Sequence, residues 1–161
     1  MNTGQSMLAI GAFILLSILV LRTNNTFLST DTVVQETKFG VLATSLASSY
    51  IEQASKTKFD EVDDAAISDS SSLSYPLGLD PGETRNMPPD DFDDYNGLKD
   101  SITNLPSATF VLKCSVCYID PNNPEDSVSH QTWNKKLTVT VTSPFSKDTI
   151  KLSSIYSYFR F

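Results

Sequence analysis

The run MLAIGAFILLSILVL, Met7–Leu21, limits what this chain can fold into more than any other stretch. No ionisable side chain occurs before Arg22, and the run is interrupted only by Gly11 and Ser17. A helix that spans a bilayer takes about 20 apolar residues, with a lower limit near 17. The uncharged flanks Gly4–Ser6 and Thr23 bring the segment close to that length. A cleaved secretory signal asks for a basic start and a small-residue cleavage pattern. Met1–Ser6 holds no Lys or Arg, and LVLRTNNT carries no such pattern. The sequence therefore predicts an apolar stem over residues 5–24. Its side chains Met7, Leu8, Ile10, Phe13, Ile14, Leu15, Leu16, Ile18, Leu19 and Leu21 are expected to face lipid or other protein chains.

Helical patterning does not stop at the stem. The first proline is Pro76, and no glycine falls between Gly11 and Gly40. Phe39, Leu42, Leu46 and Tyr50, with Ala43 and Ala47 beside them, recur every three or four residues and make one apolar stripe. Gln35, Glu36, Lys38, Ser45, Ser49 and Gln53 fall between them. The spacing predicts one helix from about residue 5 to about residue 57, with Ser29–Asp31 as an N-cap should it break. At 1.5 Å per residue it would be roughly 75–80 Å long. A remainder of about 100 residues is too small to bury such a helix.

Asp60–Lys99 concentrates Ser, Pro, Gly, Asp and Asn, the residues of turns, and reads as an irregular acidic connection with at most one short strand. Beyond Asn104 the apolar period changes to two. Phe110, Leu112, Cys114, Val116 and Tyr118 alternate with Val111, Lys113, Ser115 and Cys117. Leu137, Val139 and Val141 oppose Thr138, Thr140 and Thr142, and TIKLSSIYSYFRF supplies a last strand. PNNPED, Pro121–Asp126, reads as a turn or loop. The expected fold is α+β: a long N-terminal helix whose second half covers a small antiparallel sheet. The organisation is a helix over 1–57 and a β-rich head over 58–161, with an acidic loop at 60–100 and the sheet at 107–161.

Net charge of -7 and a pI near 4.5 give no support to a nucleic-acid partner, which asks for a basic face. The single histidine, His130, rules out a multi-His metal site and argues against a histidine-centred triad. Two cysteines are too few for a disulfide framework. In CSVC, Cys114 and Cys117 lie inside a strand pattern. There, positions three apart face opposite ways and sit roughly 10 Å apart, whereas a disulfide wants Cα atoms within about 7 Å. They read as structural, Cys114 inward and Cys117 outward, with a local disulfide at a kink as the alternative. The segment DPGETRNMPPDDFDDYNGLKD reads as a solvated acidic loop. A calcium ion on Asp90, Asp91, Asp93, Asp94 and Asn96 is the alternative, since carboxylates on a turning chain suit a hard cation. It is not an EF-hand, because Tyr95 stands where Asp or Asn is wanted. Trp133, Tyr156, Tyr158, Phe159 and Phe161 read as packing residues, with a carbohydrate or partner surface as the alternative. Nothing shapes a catalytic cleft, so no enzyme and no cofactor other than calcium is expected.

With its apolar stem, single long helix and small sheet, the chain resembles the type IV pilin superfamily of pilins, minor pilins and pseudopilins. KKLTVTVTSPFSKDTIKLSSIYSY resembles the closing hairpin of pseudopilins and minor pilins, and FDDYNG an acidic loop of some members. The resemblance implies a leader cut by a prepilin peptidase between Gly4 and Gln5. It also implies storage in the inner membrane and assembly with copies of itself, or with other pilin-like subunits, into an extracellular filament or periplasmic pseudopilus. Ala9 stands where the family usually has glutamate, and the leader has no basic residue. Members without the glutamate often fill minor or tip roles. The competing expectation is a single-pass, membrane-anchored extracytoplasmic binding domain that never polymerises.

Overall fold

A computed structural model describes residues 2–64, 67–105 and 108–159. One helix, α1, runs without a break over Thr3–Ala54. Neither Ser29–Asp31 nor Gly40 interrupts it, because no proline removes a backbone donor along its length. The chain divides into two units, Met1–Lys38 and Phe39–Phe161.

In the first unit the large apolar side chains from Met7 to Leu21 are all exposed. The hydroxyls are satisfied within the helix. Ser17 Oγ donates to the Phe13 carbonyl at 2.8 Å, and Thr23, Thr26, Thr30, Thr32 and Thr37 each donate to the carbonyl four residues back. A hydroxyl bonded in this way does not ask for water, so Ser17 leaves the run apolar on every side.

In the second unit, α1 lays Ala43, Ala47 and Ala54 into the core, with Phe39, Leu42, Leu46, Tyr50 and Ile51 packed around them. Small residues on the buried line let the helix backbone approach the sheet closely. The strands are β1 (Lys99–Ile102), β2 (Phe110–Asp120), β3 (Asn123–Val128), β4 (Asn134–Thr142) and β5 (Ile150–Ser157), all antiparallel to their neighbours. The order is β1-β2-β4-β5, with β3 also on β2. β4 pairs β2 from Val111 to Tyr118 along one edge. β1 takes Phe110–Lys113, and β3 takes Tyr118–Asp120, at opposite ends of the other edge. Phe110, Leu112, Cys114, Val116 and Tyr118 point into the core, as do Leu137, Val139 and Val141 of β4.

One short strand, β3, replaces expected loop, and another, β1, forms where the acidic connection gives way to the sheet. PNNPED turns only at its start, and β3 begins at Asn123; KDSI forms β1. Both are polar and lack an alternating pattern, so the open edge of β2 is what makes them strands. Ser107 and Phe161, the expected start of the sheet and end of the aromatic run, lie outside the described residues.

Candidate functional site

Two features of the molecule stand out: the exposed stem, and a buried acidic turn in the head. At the stem, Gly4 and Gln5 lie in the first turn of α1, where the Gln5 amide donates to the Asn2 carbonyl at 2.9 Å. A cut between them would remove only the helix's opening residues. α1 is long and apolar enough to cross a membrane.

The acidic turn is not a solvated loop. Asp91, Asp93 and Asp94 are buried, as is Asp60 just beyond the helix. The interleaved aromatics are the cause. Phe92 stacks on Tyr156 with ring centroids 4.8 Å apart, Tyr95 is buried, and the intervening aspartates are carried inward with them. Tyr156 also stacks on Phe59 and donates its hydroxyl to the Thr57 carbonyl.

Charge down there is met chiefly by Lys135, on the core face of β4 and 0% exposed. Its ammonium donates to Asp60 Oδ2 at 2.9 Å, Asp93 Oδ1 at 2.8 Å and the Phe59 carbonyl at 2.7 Å. All three N–H groups are used. The ammonium also lies 4.6 Å from the centre of the Phe59 ring. Asp60 is further held by Ser74, which donates both its amide and its hydroxyl. Burial raises the Asp60 carboxyl, but Lys135 and Ser74 outweigh it and hold the group below its ordinary value. The arrangement is a bolt that joins the helix exit, the acidic turn and the middle of the sheet. With its ammonium fully paired, Lys135 holds these elements together as a buried cation.

The five residues expected to share one calcium ion do not form one site. Asp93 is committed to Lys135. Asn96 uses both ends of its amide: Nδ2 donates to the Leu77 carbonyl at 3.0 Å, and Oδ1 accepts the Val116 amide at 3.0 Å. It thereby fills part of the β2 edge left open between β1 and β3. Gly97, at φ +76, then takes the chain along that edge, its amide donating to the Cys114 carbonyl. Asp91 Oδ1 accepts the amides of Asp93 and Asp94, capping the short 3-10 turn Asp93–Tyr95. Among the described residues, carboxylate oxygens instead gather as two triads, Glu83 with Asp90 and Asp94, and Glu61 with Asp80 and Asp91, each within 4.8 Å. Glu61, Asp80 and Glu83 were missed because they lie outside the run of aspartates, and only the folded turn brings them to it.

Burial and then the Asp93 charge push the Asp91 carboxyl up to about 8. A carboxyl raised in the fold adds stability that is fully present below its unfolded value, about 4, and is lost as pH rises through 8. Asp60, held low, acts in the opposite sense and loses its contribution as pH falls below about 4. In EDTA, the melting temperature should therefore peak in mildly acid buffer and fall by several degrees by pH 8.5. Asp91→Asn keeps the capping oxygen and imitates the protonated acid. It should flatten the alkaline fall in a pH series of thermal melts; an unchanged fall would mean that another group carries it.

The strand through CSVC is unkinked, so Cys114 faces the core, Cys117 lies half-buried on the opposite side, and the local disulfide is not formed. Burial pushes the Cys114 thiol up to about 12 and raises Cys117 too, against the pull of Lys136. Low thiolate content and poor access make both slow to react. Under non-reducing conditions, brief alkylation at neutral pH should leave Cys114 unlabelled in the folded protein. Two adducts should appear by intact mass once it is denatured. A mass rise of two hydrogens on reduction would restore the disulfide.

Trp133, Tyr158 and Phe159 form a ring cluster with centroids 5.0–5.1 Å apart. Phe159 is exposed, and so is His130. No family model, curated protein or solved structure matches the chain.

Proposed function

We propose that this chain is a non-enzymatic structural subunit of a type IV pilus-like or pseudopilus-like filament, stored in a membrane by its stem and polymerised through it. The observation that carries the reading is where the exposed apolar surface of α1 ends. A tether is complete in about 20 residues, yet Phe27, Leu28, Val33 and Val34 continue the exposed apolar positions well past Arg22. Side chains of that kind beyond a bilayer ask for protein neighbours. Gly11, Ala12 and Ser17 supply the small residues that let helices pack closely, whether in lipid or in a bundle of stems.

Sheared surface material and detergent-extracted membranes from the native cell test this together. The reading expects the chain in ordered polymers, with an intact mass that begins at Gln5 if the leader is removed. If the chain appears only as a membrane-bound monomer and no filament depends on it, it is a tethered binding domain instead.

A further inference from the structure

Among the described residues, four carboxylates are buried, and Lys135 is the one buried cation. Lys135 pairs with Asp60 and Asp93, which leaves Asp91 and Asp94. Asp94 is 2% exposed, and its Oδ1 accepts no hydrogen bond. It lies in the triad with Glu83 and Asp90, whose carboxylate oxygens are all within 4.8 Å of one another. Asp94 Oδ2 accepts the Asp90 amide at 3.1 Å, and Glu83 Oε2 accepts the Asp80 amide at 2.9 Å, so the turn holds its carboxylates in place. Asp94 and Glu83 also line one small surface pocket with Arg85, Pro88 and Pro89. Arg85 does not neutralise them by direct contact, for it donates to the carbonyls of Asp94 and Asn96. Three crowded carboxylates, one of them buried with an unused oxygen, lack positive charge.

We infer that Glu83, Asp90 and Asp94 bind a calcium ion. Calcium takes oxygen ligands at about 2.3–2.6 Å in flexible geometry, and three carboxylate oxygens all within 4.8 Å of one another can reach one such ion. Magnesium, at about 2.0–2.1 Å, demands a tighter octahedron and gives up its water reluctantly. Carboxylates could bind in bidentate fashion, and water would complete the shell. The raised Asp94 carboxyl, pushed up to about 7 by burial and then by Glu83 and Asp91 against the pull of the Asp90 amide, reflects the same missing charge. The site lies wholly in the head and does not depend on whether the stem polymerises.

Thermal melts of the full chain in detergent, followed by Trp133 fluorescence, test this with calcium chloride or EDTA. Saturating calcium should raise the melting temperature by about 5 °C. Glu83→Gln preserves the oxygen that accepts the Asp80 amide. It should abolish the rise while melting no lower than the parent in EDTA, since one repulsive charge is gone. Glu61→Gln, in the other triad, should keep the rise. The proposal is overturned by no rise with calcium, by a rise that survives in both Glu83→Gln and Asp90→Asn, or by one lost only in Glu61→Gln. An equal rise with magnesium overturns the assignment to calcium.

Discussion

Replacing Lys135 by methionine should lower the melting temperature of the head by roughly 10–15 °C, the largest stability loss expected from one substitution outside the apolar core. Methionine closely fills the space of the lysine stem, so the loss is not one of packing. It comes from the partners left behind. Asp93 Oδ1 has Lys135 as its hydrogen-bond donor and Oδ2 has none, so the group becomes a buried carboxylate without a cation. Asp60 keeps Ser74 but loses its ion pair. Breaking a buried pair from one side costs about 3–5 kcal/mol, much of it the price of the stranded charge. Adding Asp93→Asn to Lys135→Met should therefore recover part of the loss, although it removes a second native side chain. Denaturant or thermal unfolding of the three proteins checks this. A single variant within about 2 °C of the parent, or a double variant worse than the single, would show that the bolt does not hold the head together.

That bolt shows where sequence reasoning reached and where it stopped. Parity alone places Lys135 on the face of Leu137, Val139 and Val141, so its inward direction was written into KKLTVTV. Its partners were not, because Asp60 and Asp93 lie 75 and 42 residues away and carry no local mark. The helix was legible from its period and its lack of proline, β2 and β4 from alternation, and β5 as the strand returning after a turn. β1 and β3 were not, since polar edge strands take their conformation from the neighbour they pair with. In DDFDDYNG, counting charges suggested solvent. Phe92 and Tyr95, three apart, were the better guide, because burying them took Asp93 and Asp94 inside. Two members of the acidic triad proposed to hold calcium were visible: Asp90 and Asp94 belonged to the noticed run, and Glu83 needed the fold to reach them.

Leu15→Asp should eliminate polymers while leaving the melting of the head unchanged, because Leu15 lies in the first unit, outside the core. Leu15 sits at the middle of the apolar run and is 70% exposed. An aspartate at the centre of a spanning helix costs about 2.5–3.5 kcal/mol for insertion. In a bundle of stems, the same charge would recur in every subunit and meet apolar neighbours with no cation to pair it. Ser17→Ala provides the contrast, since the hydroxyl it removes is already bonded to the Phe13 carbonyl and should matter little. Leu15→Asp weakens a tether as well, so Val34→Asp separates the two roles. Val34 is exposed and lies beyond the residues that a span needs. A tethered domain should tolerate the change and stay in the membrane fraction; a filament subunit should reach the membrane yet fail to polymerise. Electron microscopy of sheared material and fractionation of the cells read both outcomes. Polymers that persist in Leu15→Asp would remove the stem from the assembly, and those that persist in Val34→Asp would leave the exposed surface beyond Arg22 without the role assigned to it.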